Sequence, residues 1–248
     1  MARLKWVLVW ACFAALVVGL LYIYEPAQAG AKADDSRVLT KATFIHYRNA
    51  NAKPQDAGGG KKQAQGYYTY ISKGARWRAF EDFAVNPTNG DGLQEDFVVS
   101  AITQGMTAWE NSGGQIFGNV YVDYGAVYDD TKPDGVNTLS FGTISDDRVI
   151  AITNVWGYFS GSPNTREIVE ADILFNETST WTWGNADIDP ALMDLQNIAT
   201  HEIGHAAGMG DVYQTGATLE TMYGYSTEGE TIKRDLYKGD ILGIQGLY

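Results

Sequence analysis

Apolar positions recur with two different periods along the chain, and the two periods separate helices from strands. Helical spacing is found between residues 93 and 110, where the repeating apolar positions are Phe97, Ala101, Ile102, Met106 and Trp109. A second helix is predicted to begin at Pro190, directly after Asp189, and to run into residues 201–205. A third helix is predicted over residues 236–247.

Short segments rich in β-branched and aromatic residues predict strands, because Asp, Gly, Pro and Ser separate them. The segments are residues 67–71, 119–124, 136–141, 148–156 and 168–175. The predicted order of elements is a strand, a helix, several strands and then two helices. This order is that of an α+β domain with one mixed sheet. We therefore predict a single domain over residues 67–248.

The first 29 residues have the pattern of a signal peptide. Arg3 and Lys5 precede an uninterrupted apolar run over residues 6–24, and Ala27 and Ala29 provide the small-x-small cleavage pattern. Export is therefore expected, with the mature protein secreted. The alternative is a retained membrane anchor, because the apolar run is long enough to span a bilayer. The only cysteine, Cys12, lies inside this leader, so the mature chain is expected to form no disulfide.

Residues 30–66 are rich in Ala, Lys, Asn, Gln and Gly, which predicts a linker or a short pro-segment before the domain. One apolar patch within it, residues 43–47, is able to dock on the domain. His46 lies in this patch. We interpret His46 as structural or solvated rather than as a metal ligand, because nothing close to it in sequence completes a metal site.

The chain is acidic, with a formal net charge of −12, and this argues against a nucleic-acid partner. It suits an exported protein that stays soluble, and we expect a monomer with no membrane contact once the leader is removed. The surplus carboxylates make bound calcium plausible. No Asp-x-Asp-x-Asp-Gly loop is present in the sequence, so no calcium site is assigned.

Residues 201–211 carry the clearest chemical signal. His201 and His205 are one helical turn apart, so both imidazoles can reach one zinc ion. Glu202 stands beside them as a general base for a water that the metal activates. Gly208 can adopt the positive φ that ends a helix, and Asp211 then follows where a third ligand is needed. This pattern predicts zinc-dependent hydrolysis of an amide bond.

The motif resembles that of the metzincin peptidases, most of all the matrixin-like group of prokaryotes. His201, Glu202, His205 and Gly208 match the family motif, and Thr221-Met222-Tyr223 resembles its Met-turn. Residues 108–110 and 239–248 resemble the ends of the family's first and last helices. The resemblance implies a twisted five-stranded mixed sheet with two long helices, followed by a small lower subdomain that contains the Met-turn and the C-terminal helix.

The same resemblance implies roles for residues around the metal and for the substrate. Met222 would form a hydrophobic floor under the zinc without bonding to it. Tyr223 and Tyr225 would line the pocket for the side chain after the scissile bond, and a catalytic role for either is the alternative. A protein or peptide substrate would lie extended along the edge strand within residues 148–156. The expected activity is that of a secreted zinc endopeptidase.

The chain departs from the family pattern at three points. Asp211 stands where most members have His, and a carboxylate is a sound zinc ligand. Only His46 is left over for a second, structural zinc, so that zinc is expected to be absent. No cysteine lies between the leader and the domain, so a cysteine switch cannot keep the protein latent. Latency conferred by residues 30–66 would need another mechanism.

Three other interpretations remain. The protein is a zinc hydrolase whose third ligand is a downstream glutamate, as in thermolysin-like enzymes, with Glu220, Glu228 and Glu230 as candidates. Residues 214–230 lack helical periodicity, which favours Asp211 instead. Alternatively, the hydrolase acts on something other than protein. Lastly, the chain is a zinc-stabilised surface or binding protein without catalysis, although an open coordination position and the presence of Glu202 argue against this.

Overall fold

A mixed sheet organises the fold of the computed structural model, which describes residues 37–48, 66–177 and 180–248. Within these residues, seven strands form the sheet: β1 (Thr40–Arg48), β3 (Phe83–Val85), β4 (Val120–Val122), β5 (Asn137–Gly142), β6 (Val149–Tyr158), β7 (Glu167–Asn176) and β11 (Tyr225–Ser226). Two smaller sheets pair β2 (Thr69–Tyr70) with β10 (Met209–Gly210), and β8 (Trp183–Gly184) with β9 (Met193–Asp194). The predicted signal peptide and residues 30–36 and 49–65 of the predicted linker lie outside the described residues.

The large sheet has the strand order β11-β1-β6-β7-β5-β3-β4. Strands β4, β3, β5 and β7 run parallel, and β6 is antiparallel to β7. These five strands agree with the five-stranded mixed sheet that the resemblance implies, although β3 was not among the segments predicted from the sequence pattern. The α+β class is therefore confirmed. Two further strands, β1 and β11, extend the sheet beyond β6, and neither was anticipated from the sequence pattern.

Helices α1 (Glu95–Gly113) and α2 (Leu195–Ala206) are the two long helices of the fold. They share one apolar core with the sheet. The indole N–H of Trp109 on α1 donates a buried hydrogen bond to the carbonyl of Thr200 on α2, at 2.7 Å. Gly105 permits this close approach, because an added Cβ would lie 3.1 Å from the Thr200 nitrogen. The two helices are therefore fixed against each other at the level of the His motif.

Helix α2 begins five residues later than the sequence predicted, at Leu195 rather than at Pro190. Asp189 and Leu192 close a turn through a backbone hydrogen bond of 3.0 Å instead. The carboxylate of Asp194 accepts the Asn197 N–H at 2.8 Å and so caps the helix. A buried cap of this kind satisfies an N–H group that would otherwise lack a partner, which explains why the helix starts there.

The last part of the chain contains α3 (Lys238–Gln245), where the third helix was predicted. The carboxylate of Asp240 accepts the backbone N–H groups of Thr221, Met222 and Tyr237. It thereby ties α3 to the Thr221–Met222 turn. The predicted first strand, residues 67–71, is shorter than expected and belongs to the small sheet with β10. Among the described residues, no helix combines the length and the hydrophobicity that spanning a bilayer requires.

Replacing Asp172 by Asn is expected to raise stability more at pH 8 than at pH 4. Burial, and then the nearby charge of Glu170, raise the pKa of Asp172 to about 8. An unfolded aspartate titrates near 4, so the folded state loses stability as the pH rises from about 4 to about 8. Asn cannot ionise, and its carbonyl can still accept the Thr138 N–H. We expect the gain to grow by about 1–3 kcal/mol over this range.

Urea unfolding of both proteins at several pH values measures this difference, and subtracting the wild type cancels other titrations. The exposed Glu81→Gln is the control for the removal of one surface carboxylate. A gain from Asp172→Asn that is equal at pH 4 and pH 8 would contradict the assignment of a raised pKa to this carboxyl group.

Candidate metal centre

Helix α2 presents His201, Glu202 and His205 at the face that lies under β6, and all three are buried. Each imidazole is held through Nδ1. That of His201 donates to the Thr221 carbonyl at 2.7 Å, and that of His205 donates to the Met209 carbonyl at 3.0 Å. Because a carbonyl can only accept, both rings carry their proton on Nδ1. The Nε2 lone pairs are then free for a metal.

The chain turns back after α2 and brings Asp211 to these imidazoles. Gly208 has φ 101°, and a Cβ at this position would lie 2.7 Å from the carbonyl oxygen of Ala75. A glycine is therefore required by both the dihedral angle and the space. The Asp211 Oδ1 atom lies 3.2 Å from Nε2 of His201 and 3.4 Å from Nε2 of His205.

The arrangement of these three ligand atoms fits one zinc ion. They lie within 4.8 Å of one another. Two ligands bound about 2.0–2.1 Å from a tetrahedral ion are about 3.3 Å apart, close to the separations seen here. His201 Nε2 and Asp211 Oδ1 are buried without a hydrogen-bond partner among the described residues. A buried polar atom of this kind is costly unless something binds it, and a metal ion would do so.

The pKa shifts of His201 and Asp211 also suit a bound cation. Burial lowers the pKa of His201 to about 4, so its imidazole is neutral. Burial also acts to lower the pKa of His205, but the charge of Asp211 outweighs it and raises that pKa. For Asp211, burial favours the protonated form, yet the two imidazoles hold the pKa far below its usual value. A neutral imidazole and an ionised carboxylate are the forms that bind zinc, so His201 and Asp211 are in the binding form, whereas zinc would have to displace a proton from His205.

Glu202 lies beside the three ligand atoms and is held from both sides. Its Oε2 accepts the hydroxyl of Thr153 on β6 at 2.5 Å, and its Oε1 accepts the Nδ1–H of His46 on β1 at 2.9 Å. Burial raises the pKa of Glu202 above its usual value. A buried carboxylate with a raised pKa, held next to a metal site, is suited to carry a proton between reacting groups. The sequence motif predicted Glu202 but gave no sign of Thr153.

The structure excludes the solvated alternative for His46 and is compatible with the structural one. Its side chain is buried, and its ring centroid lies 4.0 Å from that of His201. Its neighbour on the same face of β1, Phe44, stacks on the ring of His205 at 3.9 Å. His46, His201 and Glu202 form a second group of ligand atoms within 4.8 Å of one another. Sequence spacing could not reveal this site, because 155 positions separate the two histidines.

Met222 is buried and packs against α2. Gly204 makes this packing feasible, because a Cβ there would lie 2.3 Å from the Met222 sulfur and 2.4 Å from Cζ2 of Trp109. The Asp240 carboxylate holds the backbone of this turn by accepting the N–H groups of Thr221 and Met222. A thioether packed on the helix of His201 and His205 is apolar, and its role as a floor under a zinc ion stays a prediction.

Three tyrosines form a row of ring contacts that begins at Asp211 and includes Tyr225 of β11. The Tyr213 hydroxyl donates to Asp211 Oδ2 at 3.0 Å, a contact that the sequence did not indicate. The Tyr213 ring packs edge-on against Tyr225, which in turn packs against Tyr223. Tyr223 and Tyr225 therefore lie near the candidate ligands. Their assignment to a substrate pocket stays a prediction.

The three glutamates considered as alternative ligands have other partners. Glu228 forms an ion pair with Arg48, and Glu230 forms one with Lys233. Glu220 accepts hydrogen bonds from backbone N–H groups. In the described part of the chain, the groups of side chains able to share a metal are the two that contain His201, and neither includes these glutamates. Both groups contain histidine, whereas calcium takes oxygen ligands, so the expected calcium still has no assigned site.

Comparison with known proteins agrees with this geometry. The family model described as Matrixin matches residues 81–248, which include every element from β3 to α3. Matrix metalloproteinase-25 of Homo sapiens is 32% identical over 80 residues, which make up 32% of this chain and 14% of that protein. The matched stretch thus spans a small part of the relative. The family match takes in more than half of the chain, and the chain belongs to the matrixin family of zinc metallopeptidases.

Proposed function

We propose that the protein is a secreted endopeptidase that cuts extended protein substrates, with zinc held by His201, His205 and Asp211 and with Glu202 as the general base. One observation carries the proposal: three ligand atoms suited to zinc converge within 4.8 Å, directly beside a buried glutamate. Family membership supports the same chemistry. Secretion rests on the leader pattern of residues 1–29.

A bound zinc ion would polarise the scissile carbonyl and acidify the attacking water. The protein's own groups transfer the protons and orient the ligands. Glu202 takes a proton from the attacking water and returns it to the leaving amine, which needs a carboxylate of raised pKa. The Thr153 hydroxyl fixes the orientation of this carboxylate. The carbonyls of Thr221 and Met209 hold the two imidazoles in the tautomer that leaves Nε2 free.

The substrate would be bound in the space between β6 and β11, which we call the substrate groove. In this structure β6 is paired with β1 and is not the edge strand that was expected. Once β1 is displaced, β6 would offer main-chain N–H and C=O groups to an extended peptide, and such pairing recognises the backbone of almost any sequence. Tyr223 and Tyr225 lie at the β11 side and would contact the side chain after the scissile bond. This arrangement favours a protein or peptide substrate over a small ester or amide.

Metal analysis and hydrolysis of casein together test the function. Because β1 lies over the metal cluster, the assay uses the chain both intact and cut at a protease recognition sequence inserted between Arg48 and Gly66. We expect one zinc per chain and hydrolysis by the cut protein that a chelator abolishes and added zinc restores. Bound zinc in a folded, cut protein that hydrolyses neither casein nor a broad peptide library would support the zinc-stabilised binding protein instead. N-terminal sequencing of exported protein should begin at Gly30.

A further inference from the structure

We propose that Tyr213 is a positioning residue for the metal ligand Asp211: its hydroxyl holds Oδ2, so that the carboxylate presents only Oδ1 to the metal. The inference rests on the function proposed above and concerns how one ligand of that site is kept in place. An imidazole binds a metal through one nitrogen, whereas a carboxylate can bind through one oxygen or through both. Tyr213 would therefore allow an aspartate to stand where most members of the family have a histidine.

The first argument is that the two oxygens of Asp211 have different surroundings. Oδ1 lies 3.2 Å from Nε2 of His201 and 3.4 Å from Nε2 of His205, and it is buried without a hydrogen-bond partner among the described residues. Oδ2 accepts the Tyr213 hydroxyl at 3.0 Å. An ionised carboxylate can only accept, so the hydroxyl donates this bond. One oxygen is thus left for a metal, and the protein already binds the other.

The second argument is that the backbone around Asp211 is fixed, which leaves only the side chain to be oriented. The Thr69 hydroxyl donates to the Asp211 carbonyl at 2.9 Å. On the next residue, the Val212 N–H donates to the Met222 carbonyl at 2.9 Å. Rotation about the Cβ–Cγ bond of an aspartate has broad minima and interchanges the two oxygens. The hydrogen bond from Tyr213 restricts this remaining rotation.

The third argument is that the spacing of the two residues follows from an extended segment. Val212 forms a bridge to Tyr223 and is buried in the apolar core. Alternate side chains of an extended segment lie on the same side. Asp211 and Tyr213 therefore share the side opposite to Val212. A tyrosine two residues after the carboxylate is thus placed to donate to it, and a one-residue shift would turn the ring away.

The fourth argument is that the Tyr213 ring is itself held. The backbone of Gly224 lies against it, and a Cβ there would be 2.4 Å from Cε1 of the ring and 2.8 Å from the hydroxyl oxygen. The Tyr225 ring packs edge-on against it, at a centroid distance of 5.4 Å. The side-chain entropy of Tyr213 is thus lost on folding, before any metal binds. Its hydroxyl is directed to Asp211 in advance.

The consequence for the reaction is an open position on the metal. Catalytic zinc sites have three protein ligands and keep the remaining position for water or substrate. If both oxygens of Asp211 were free to bind, the carboxylate would compete for that position. The hydrogen bond from Tyr213 prevents this competition without contributing a ligand of its own.

Visible absorption of the cobalt-substituted protein tests the ligation directly. A four-coordinate Co²⁺ ion absorbs visible light more strongly than a five-coordinate one, so the spectrum reports whether the carboxylate binds through one oxygen or both. In the intact chain of residues 30–248, Tyr213→Phe should lose intensity, because Oδ2 becomes free to bind. Tyr225→Phe removes a hydroxyl from the neighbouring ring and should keep the wild-type spectrum. An unchanged spectrum in Tyr213→Phe, with cobalt bound, would overturn the inference.

The same substitution in an Asp211→His background distinguishes positioning from a merely structural role. Histidine has no second oxygen, so Tyr213→Phe should not change the cobalt spectrum in this background. An equal loss of intensity in both backgrounds would show that Tyr213 only supports the fold, and it would contradict the proposed role.

Peptide hydrolysis provides a further readout, measured on the cut protein at equal zinc content. We expect Tyr213→Phe to lower kcat/KM by about 10-fold to 100-fold, the range found for hydrogen-bond partners of metal ligands. In the Asp211→His background it should have no such effect. A loss of the same size in both backgrounds would again assign Tyr213 to the fold alone.

The outcomes separate this inference from the proposed function. A folded chain that takes up neither cobalt nor zinc overturns both. Bound cobalt with the same spectrum in the wild type and Tyr213→Phe overturns the role of Tyr213 and leaves the peptidase in place. The expected spectral change, in a protein that hydrolyses no peptide, supports the role of Tyr213 and overturns the peptidase.

Discussion

Glu202→Gln should lower kcat/KM for peptide hydrolysis by about 100-fold to 10,000-fold, the range that general acid–base catalysis contributes. Gln has the shape of Glu, and its amide oxygen can still accept the Thr153 hydroxyl. It cannot take a proton from the attacking water or return one to the leaving amine. The substitution therefore removes the proposed chemistry while leaving the packing around α2 in place.

The comparison must be made on cut protein with the strand removed and at equal zinc content. Thr153→Val gives a graded control, because it keeps the carboxylate and removes only the hydroxyl that orients it. We expect this variant to lose much less activity than Glu202→Gln. If Glu202→Gln retained more than about a tenth of the wild-type activity with full zinc occupancy, another group would have to be the base.

The agreement between sequence and structure is best where the chemistry is local. His201, Glu202 and His205 lie on one helix, Gly208 ends it, and Asp211 follows within six residues of His205. Helical geometry and one positive φ are then sufficient to place the three ligand atoms together. The resemblance to the metzincins extended this prediction to Met222, which the structure places against the same helix.

The contacts that the sequence could not provide are those made across the sheet. Thr153 reaches Glu202 only because β6 passes over α2, and His46 reaches it only because β1 pairs with β6. Neither residue has a motif around it, since each is one polar position in an otherwise ordinary strand. The scarcity of histidine was the one available signal: of three in the chain, two belonged to the motif.

Short elements show the same limit for the fold. The pattern of residues 148–156 and 168–175 predicted β6 and β7 nearly to their ends, because both are long and largely buried. Strand β3 is three residues long, and strand β1 lies in a segment whose composition is that of a linker. Each of these strands forms because it pairs with the edge of another strand. That strand is distant in the sequence, so the segment alone does not predict the pairing.

Asp211→Ala should weaken zinc binding by at least about 100-fold, because it removes the only anionic ligand of the proposed set. His201 and His205 would remain, held by their carbonyl partners, but two neutral imidazoles compensate the charge of the ion poorly. At a fixed excess of free zinc, a 100-fold loss of affinity corresponds to about 2.7 kcal/mol less stabilisation of the folded chain by the metal. A smaller rise in Tm on addition of zinc should accompany the loss of affinity.

Competition with a chromophoric chelator measures the affinity, and thermal unfolding with and without zinc measures the linked stability. Glu228→Gln and Glu230→Gln are the matched controls, since these carboxylates also lie near the groove but pair with Arg48 and Lys233. We expect both controls to bind zinc like the wild type. A loss of affinity in a glutamate variant, with none in Asp211→Ala, would move the third ligand to the downstream segment. The turn that begins at Gly208 would then not position a zinc ligand.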